Sequence, residues 1–494
     1  MVGGTSAYPF SSPLPNADAT APRLALEVND VHSRLNPATV RRIVQVRSVP
    51  ALQQAVREAS DAGLGVAIAG GRHAMGGQQF RTDALVIDTT ALCRPVDLDV
   101  ERGLVTVEAG IDWPRLINHL LWAGAGQEDA WSIIQKQTGA DRLTIGGALS
   151  SNIHGRGLRF RPVIADVEAF DLVDHTGALV TCSRTLNREL FSLVIGGYGL
   201  FGVIAQVTLK LARRRRLVRR VSIARIDDLP ALFEQRIRDG FEYGDFQFAT
   251  DPLSAGFMRA GVFSCYQPVE GEAPAPDHHR SLSPADWQRL LLLAHADKSR
   301  AFEEYARFYL STDGQHYWSD THQLASYTDG YHDALDRQLK ATVKGSEMIS
   351  ELYVPREALP AFMAAAREQA RAHAVNIIYG TVRIIEQDDE SVLAWARRPW
   401  ACVVVNLHVE HCPDGIRKAE EDFRRLIDAA AAHGGSYYLT YHRWATAAQV
   451  ERCHPRMREF LARKRARDPR AVFTSDWYDH HVRLLGESAP EKRR

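Results

Sequence analysis

Residues 70–78 read Gly-Gly-Arg-His-Ala-Met-Gly-Gly-Gln, with four glycines in nine positions. Because glycine has no Cβ, the backbone N–H groups of such a loop can approach the oxygen atoms of a phosphate closely. The stretch follows the apolar, strand-like run at 66–69, which the glycines cannot continue. It therefore predicts an anion-binding loop directly after a strand.

A second glycine-rich stretch starts at Thr138-Gly139 and resumes over 144–155 as Thr-Ile-Gly-Gly-Ala-Leu-Ser-Ser-Asn-Ile-His-Gly. It adds further backbone donors and several hydroxyl groups that can order an anion. Either loop alone is weak evidence. Together in one domain, the two loops predict a long cofactor with a pyrophosphate in its middle, although spacing alone does not identify it.

The run Gly197-Tyr-Gly199-Leu-Phe-Gly202 matches the dinucleotide pattern GxGxxG. A functional copy of that pattern follows a strand and opens a helix, so that the pyrophosphate meets the helix N-terminus. Here a helical stretch precedes the glycines and the strand-like run 203–211 follows them. The order is reversed, which argues against a Rossmann site.

The sequence around the two loops alternates between helical and strand patterns. One helix is predicted from the Ser48 cap, with Pro50 in its first turn, to Gly63, and another over 113–121. Strand-like runs occur at 66–69, 84–92, 103–110, 167–180 and 203–211, of which 167–180 resembles a hairpin turning at Thr176-Gly177. Residues 31 to about 211 are therefore predicted to form one α+β unit.

That unit ends at an arginine-rich run, which contains Arg213, Arg214, Arg215, Arg216, Arg219 and Arg220. The run predicts an anion or membrane-surface patch or, as we favour, a solvated strand edge that charge keeps from pairing. Beyond it the sequence predicts a second, mixed domain, with helices over 286–310 and 356–374 and strands over 376–385 and 401–410. Residues 268–284 carry prolines and charges without periodicity, and a surface excursion is expected there.

Composition narrows the class of protein. The chain has 494 residues, 45% hydrophobic and 24% charged, which predicts a globule of two or three domains. It contains no stretch of 18 uncharged apolar residues, so no membrane span is predicted, and its 60 basic and 60 acidic residues favour a small-molecule partner over nucleic acid. The six cysteines form no CxxC pair, and neither a metal site nor a disulfide framework is expected. Residues 1–30 lack a signal-peptide pattern, and we expect a mobile leader on a cytoplasmic protein.

Four stretches resemble the FAD-binding domain of the vanillyl-alcohol oxidase and p-cresol methylhydroxylase family: the first loop and the segments 143–157, 196–209 and 467–477. The resemblance covers roughly 36–211 and 434–478 and is weaker in between. It implies bound FAD and an α+β fold, in which an FAD-binding domain is covered by a mixed α/β cap domain. The implied boundaries are 1–30 for the leader, 31–216 for the FAD-binding domain, 217–440 for the cap and 441–494 for a C-terminal segment that completes the FAD-binding domain.

The first loop is most similar to the alditol oxidase and cytokinin dehydrogenase branches of the family, in which a loop histidine is covalently bonded to the flavin. His73 stands at the matching position, so the resemblance implies a covalent link there. The alternative is a histidine that only hydrogen-bonds phosphate, because the decaprenylphosphoryl-ribose oxidase branch, which the second loop resembles, holds FAD without such a link. The other implied FAD contacts are Gly70, Gly71, Arg72, Ala74, Gly139, Thr144, Ile145, Gly146, Gly147, Asn152, His154, Ile204 and Tyr438.

The resemblance also implies four candidate catalytic residues. Segment 380–386 is similar to an alditol oxidase strand whose arginine faces the substrate, and 406–409 matches a strand with a pocket histidine, which assigns these roles to Arg383 and His408. The family's lysine near the flavin pyrimidine falls at Tyr441, with His442 adjacent. Because neither is lysine, weaker charge stabilisation of the reduced flavin is expected, with either oxygen or a quinone- or dye-like carrier as electron acceptor.

These assignments predict an FAD-dependent oxidoreductase that oxidises a hydroxyl-bearing small molecule, such as a polyol or sugar, by hydride transfer to flavin N5. In that scheme His408 or Tyr441 takes the hydroxyl proton, while Arg383 orients the oxygen and stabilises developing negative charge. Two alternatives stay open. One is a flavoenzyme that oxidises a C–N bond or reduces a double bond, and the other is a flavin-binding protein without activity.

Overall fold

The helices and strands form two successive groups and a C-terminal return. The computed structural model describes residues 26–127, 129–269, 280–325 and 330–487. The first group contains strands β1 (Leu26–Val28), β2 (Ala38–Val40), β3 (Arg42–Gln45), β4 (Val66–Ala69), β5 (Leu85–Asp88), β6 (Pro95–Asp99), β7 (Leu104–Glu108), β8 (Trp131–Ile133), β9 (Val167–Val173), β10 (Leu179–Ser183) and β11 (Val203–Arg213), and helices α1 (Val49–Asp61), α2 (Trp113–Ala123), α3 (Ile145–Ser151) and α4 (Arg188–Val194).

The second group contains strands β12 (Arg216–Arg225), β13 (Tyr243–Phe248), β14 (Ala260–Pro268), β15 (His316–Trp318), β16 (Gly345–Val354), β17 (Ile377–Ile385), β18 (Trp400–Glu410) and β19 (Ser436–Tyr437), and helices α5 (Leu229–Arg238), α6 (Pro284–Ala296), α7 (Lys298–Leu310), α8 (Tyr331–Leu339), α9 (Leu359–Ala372) and α10 (Pro413–Ala432). The C-terminal return consists of α11 (Ala447–Cys453), α12 (Met457–Arg467) and α13 (Asp476–Leu484). The chain is an α+β protein, as the sequence predicts.

Among the described residues, the first group holds the β1–β2 pair and two larger sheets. A parallel sheet of order β3-β5-β4 carries the first glycine-rich loop after β4, and an antiparallel sheet runs β10-β9-β11-β7-β6. Helix α1 begins as predicted, because the Ser48 side chain accepts a hydrogen bond from the Ala51 N–H and the apolar face that includes Leu52 and Val56 is buried. The β9–β10 hairpin is confirmed, and the reversed order at 197–202 is confirmed too, because α4 precedes these glycines and β11 follows them.

The second group is built around one antiparallel sheet of eight strands, which we call the cap sheet, in the order β15-β12-β14-β13-β17-β18-β16-β19. Its strands run from Arg216 to Tyr437, against the predicted cap boundaries of 217 and 440. Helix α10 contacts β16 and β18 on one face of the sheet. The opposite face carries Glu351 and Arg383 into a cavity shared with the first group.

The C-terminal segment returns to the first group. Phe473 forms a parallel bridge with Val66 of β4, and the Val66 N–H donates to the Val472 carbonyl at 2.6 Å. The side chains of Val472 and Phe473 are buried in the same core as Leu52 and Val56 of α1. This part of the chain therefore completes the sheet that ends in the first glycine-rich loop.

The arginine-rich run differs from the predicted solvated edge. Arg219 is buried, donates to Ser264 Oγ at 2.8 Å and lies 4.4 Å from the Tyr309 ring centroid. Arg213 covers the Trp131 ring, and Arg214 pairs with Asp320 at 2.8 Å while covering Trp318. Strand β12, which begins at Arg216, pairs with β14 on one side and with β15 on the other. The charges of the arginine-rich run do not prevent this pairing, because neighbouring aromatic rings and acids accept them.

Three other expectations change. The helix predicted over 286–310 is broken, because Asp297 ends α6 and its side chain caps α7 by accepting from the Arg300 N–H. Residues 1–25 of the expected leader lie outside the described residues, whereas its last part contains β1, which pairs with β2. Most of the expected surface excursion, 270–279, is also outside them. Among the described helices, none has the length and hydropathy to cross a bilayer.

Candidate active site

The two glycine-rich loops lie against each other. A Cβ on Gly70 would collide with the Thr144 hydroxyl, and a Cβ on Gly71 would collide with the Arg142 carbonyl. Glycine is therefore required at both positions if the loops are to touch. The Thr144 side chain caps α3 by accepting from the Gly147 N–H. This contact brings the segments that the sequence treats separately into one continuous wall.

That wall closes one side of a cavity of about 730 Å³, and the cap sheet closes the other. The volume lies within the range of small-molecule and cofactor sites. A Cβ on Gly139 would meet no described atom within 4 Å, so this backbone lies open to a ligand. The predicted FAD contacts that line the cavity are Gly70, Gly71, Arg72, His73, Ala74, Gly139, Thr144, Gly146, Gly147, His154, Ile204 and Tyr438. A long, partly phosphorylated cofactor such as FAD fits these residues.

Two of the predicted FAD contacts are corrected by the structure. Ile145 and Asn152 do not line the cavity. Ile145 is fully buried, and its N–H donates to the Ile111 carbonyl at 2.9 Å. Asn152 ends α3 in a left-handed conformation, and its side chain donates to Asp388 Oδ2 at 2.8 Å while accepting from the Ile164 N–H. Both residues hold the second loop in place from behind.

His73 faces the cavity beside a second histidine. Its Nδ1 lies 2.8 Å from His32 Nε2, and both rings line the cavity. Burial and the neighbouring His32 hold the pKa of His73 well below its usual value. The His73 imidazole is therefore neutral near pH 7 and keeps the ring-nitrogen lone pair that bonding to a carbon requires.

Arg383 projects from β17 into the same cavity, on the cap side. It is 7% exposed, and its Nη2 donates to Thr138 Oγ1 of the second loop. Its Nε has no hydrogen-bond partner among the described residues. A buried guanidinium with a free donor next to a cofactor loop is suited to holding a substrate oxygen.

Glu351 of β16 is the centre of the polar network beside Arg383. Its Oε2 lies 3.0 Å from His154 Nε2 and accepts from the Tyr353 hydroxyl at 2.9 Å, while Oε1 accepts from the Tyr441 hydroxyl at 3.1 Å. Burial favours the neutral acid, but His154 and then Arg383 outweigh it, so the pKa of Glu351 lies below its usual value. The cavity therefore contains an ionised carboxylate.

Sequence reasoning missed Glu351, although a signal was present. The segment 345–354 reads Gly-Ser-Glu-Met-Ile-Ser-Glu-Leu-Tyr-Val, with two acids in a largely apolar strand. Glu347 and Glu351 are four residues apart, so both point to the same face of β16. A charged residue within an apolar strand is rarely buried without a partner or a function, and this signal applies to both acids.

The structure corrects the position predicted for His408, which does not lie beside Arg383. The cross-strand partner of Arg383 on β18 is Cys402, and His408 is six residues further along that strand. At a rise of about 3.3 Å per residue, this separates the two sites by about 20 Å. His408 Nδ1 instead lies 3.3 Å from Glu347 Oε1.

Tyr441 and His442 are separated by the fold. Tyr441 lines the cavity, and burial raises the pKa of its hydroxyl well above the usual value, so it is a proton donor. The structure corrects the catalytic role predicted for His442, because this residue is buried outside the cavity lining. Its ring centroid lies 4.5 Å from that of Phe423 and 5.7 Å from that of Trp444. Its Nε2 lies 3.3 Å from Ser350 Oγ. His442 is a core residue that contacts no ligand space.

Burial lowers the pKa of His442 to about 3, which makes the fold sensitive to acid. The unfolded chain binds a proton at this imidazole near pH 6.5, whereas the folded chain does not, so stability is present above pH 6.5 and falls as the pH drops towards 3. Each such imidazole contributes about 1.4 kcal/mol per pH unit to the slope. We expect His442→Phe to show a shallower loss of unfolding free energy between pH 6.5 and pH 5 than the parent in urea titrations.

At pH 7.5 the same variant should differ from the parent only by the loss of its contact with Ser350. His454 and His481 are also buried, with their pKa values lowered to about 3, and they keep part of the acid sensitivity in the variant. A slope identical to that of the parent would show that His442 is already protonated in the folded protein.

Comparison with known proteins agrees with this geometry. A family model described as an FAD binding domain matches residues 40–183. The chain is 31% identical over 215 residues to cytokinin dehydrogenase 10 of Oryza sativa subsp. japonica, which is 40% of this chain and 38% of that protein. It is 30% identical over 176 residues to cytokinin dehydrogenase 1 of Arabidopsis thaliana, which is 35% of this chain and 29% of that protein.

The matched part of the chain thus spans well under half the length of these relatives. The part that matches the family model includes the first glycine-rich loop, the second loop and the β9–β10 hairpin. The similarity and the cavity between the loops lead to the same assignment. Residues 40–183 of this chain carry an FAD binding domain.

Proposed function

We propose that this protein is an FAD-dependent oxidoreductase that oxidises a hydroxyl-bearing small molecule, such as a polyol, a sugar or a related alcohol. The observation that carries the proposal is that Glu351 and Arg383 both line the cavity that the FAD loops line. A carboxylate that accepts a proton and a guanidinium that holds an oxygen are the two groups that alcohol oxidation needs from the protein.

The loops 70–74 and 139–147, with Ile204 and Tyr438, would hold the cofactor. When bound, FAD supplies an acceptor for the hydride that leaves the substrate carbon, and this chemistry belongs to the cofactor. The chain contributes binding and position. Its glycines leave the backbone N–H groups accessible to the phosphates, and the cap sheet shields the reacting carbon from water.

Glu351 takes the hydroxyl proton in this proposal, in place of His408. Its ionised carboxylate is the one strong acceptor that the described residues place in contact with Tyr441. The Tyr441 hydroxyl can relay the proton, because it donates to Glu351 at 3.1 Å and faces the cavity. Arg383 meanwhile binds the substrate oxygen and stabilises the negative charge that develops on it.

A second candidate is oxidation of a C–N bond, which the names of the relatives favour because they are cytokinin dehydrogenases. The cavity favours the alcohol. Besides Arg383, its lining includes the charged side chains of Arg156, Arg219 and Asp245. A neutral amine-type substrate gains little from buried guanidinium groups, whereas hydroxyl groups are good partners for them.

The test is anaerobic bleaching of the flavin by a panel of polyols, sugars, amines and lactones. We expect a polyol or sugar to bleach it, and we expect the reduced protein to pass electrons to oxygen or to a quinone-type dye. Bleaching by amines alone would replace the proposal with the second candidate. A flavin that no member of the panel reduces, but that dithionite does, would favour a flavin-binding protein without activity.

We further propose that FAD is attached covalently through His73. The neutral imidazole beside His32 and the open cavity in front of it support this. We expect acid-precipitated protein to stay yellow, and His73→Ala to release all of its flavin on precipitation while the chain remains folded by circular dichroism. His433→Ala, at the end of α10, is the matched control and should keep the colour. Colour that leaves the parent protein entirely on precipitation would overturn the covalent link.

A further inference from the structure

Three histidines and one glutamate converge outside the group around Arg383. Glu347 and His408 are directly opposite each other on β16 and β18. His295 reaches them from the last turn of α6, and His332 from the first turn of α8. Gly345 makes room for this arrangement, because a Cβ at that position would collide with the His408 ring. Four separate elements thus bring their side chains to one point.

The distances are short enough for these atoms to bind one metal ion. Glu347 Oε1 lies 3.1 Å from His295 Nε2 and 3.3 Å from His408 Nδ1, and these three atoms all fall within 4.8 Å of one another. Two atoms that bind one Zn²⁺ tetrahedrally, at about 2.0 to 2.2 Å each, are about 3.3 to 3.6 Å apart. His332 Nδ1 lies 2.9 Å from the other carboxylate oxygen of Glu347.

A plain ion-pair cluster explains less of the geometry. His295 Nε2 and both ring nitrogens of His332 have no hydrogen bond of acceptable geometry among the described residues, although two of them lie close to the carboxylate. The side chains of His295, His332 and Glu347 are each at most 5% exposed. Buried ring nitrogens that are left unpaired cost stability, and a bound cation would use the lone pairs that hydrogen bonds leave idle.

We propose that His295, His408 and Glu347 bind one divalent transition-metal ion, with Zn²⁺ the best match to two imidazoles and a carboxylate. The Tyr331 hydroxyl donates to the second oxygen of Glu347 and so fixes the carboxylate for the metal, with His332 Nδ1 at 2.9 Å from the same oxygen. Three protein ligands leave one tetrahedral position open. Metal binding here does not depend on the flavin chemistry proposed above, and no spacing motif in the sequence signalled it.

The position of this site relates it to the cavity. Glu347 and His332 are part of the cavity wall, and Glu347 is four residues from Glu351 on the same face of β16, about 13 Å away at about 3.3 Å per residue. The open coordination position can therefore accept an oxygen or nitrogen atom of a molecule that occupies the cavity.

The experiment uses the full-length holoprotein after treatment with a chelator and desalting. Zinc chloride is titrated by calorimetry at pH 7.5, and metal content is measured by mass spectrometry after dialysis. We expect one Zn²⁺ per chain and a higher melting temperature. Glu347→Gln and His408→Gln should each weaken binding on the order of 100-fold or more, because each removes a direct ligand.

His433→Gln is the matched control, because it makes the same histidine-to-glutamine change at the end of α10. This variant should bind Zn²⁺ as the parent does. His408 is the more exposed ligand, at 18%, so His408→Gln keeps the test valid if the buried Glu347→Gln variant fails to fold. A parent protein that takes up no stoichiometric Zn²⁺, or a His408→Gln variant that binds with the affinity of the parent, would overturn the proposal.

Discussion

Glu351→Gln should lower the rate of anaerobic flavin reduction by substrate about 10²- to 10⁴-fold, which is the range for loss of a general base. Glutamine keeps the shape and can still accept from the Tyr441 and Tyr353 hydroxyls, but it cannot take a proton. FAD content should be unchanged, because Glu351 lies on the cap strand β16. Rapid-mixing absorbance of the flavin measures the rate, and the melting temperature reports whether the variant is folded.

The pH profile gives a second readout for this residue. Glu351 must be ionised to act, and its pKa lies below the usual value, so the rate of the parent should fall only in the acid range below about pH 4.5. Glu386→Gln is the matched control, because Glu386 pairs with Arg356 outside the cavity lining. If Glu351→Gln bleaches at the rate of the parent, the proton leaves by another route.

Arg383→Ala should slow the same reaction about 10²- to 10³-fold, the range expected when one preorganised donor to a developing oxyanion is removed. Arg383→Lys should recover part of the rate, because lysine restores the charge without the planar, multi-donor geometry of arginine. Arg356→Ala is the control, because Arg356 donates to the Ile385 carbonyl at the end of β17 and pairs with Glu386, outside the cavity lining.

The FAD content of the Arg383 variants separates a role in the chemistry from a role in cofactor binding. We expect the limiting rate of flavin reduction to fall, and neither variant to lose FAD, although Arg383 touches Thr138. Flavin loss in proportion to the loss of rate would instead make Arg383 a residue that supports the cofactor loop. The proton-accepting role that the resemblance implies for His408 does not fit the structure, because His408 is about 20 Å along the sheet from Arg383.

The sequence was most informative where chemistry depends on local backbone. The loop at 70–78 and the Ser48 cap of α1 could be predicted, because glycine content and capping residues act within a few positions. Arg383 could be assigned to the cavity through the resemblance of segment 380–386 to a strand whose arginine faces the substrate. His408 and His442 could not be placed correctly, because register and the packing of α10 on the sheet decide which side of the cavity they reach.

Glu351 and the cluster around Glu347 show the remaining limit. Their partners come from residues far away in sequence, such as His154 for Glu351 and His295 for Glu347. A single sequence contains the strand period that aligns the two acids, but it does not contain the pairing order β17-β18-β16 that selects their neighbours.

The parallel bridge between Val66 and Phe473 has a consequence for biosynthesis. The strand that leads into the first glycine-rich loop gains this partner only after about 400 further residues have been made. The loop itself is tied to the late segment, because Gln78 donates to the carbonyls of Leu439 and Thr440. Such non-local contacts form slowly and after the intervening cap. The cofactor cradle is therefore finished only after the segment around Phe473 has been synthesised, and flavin loading follows the synthesis of that segment.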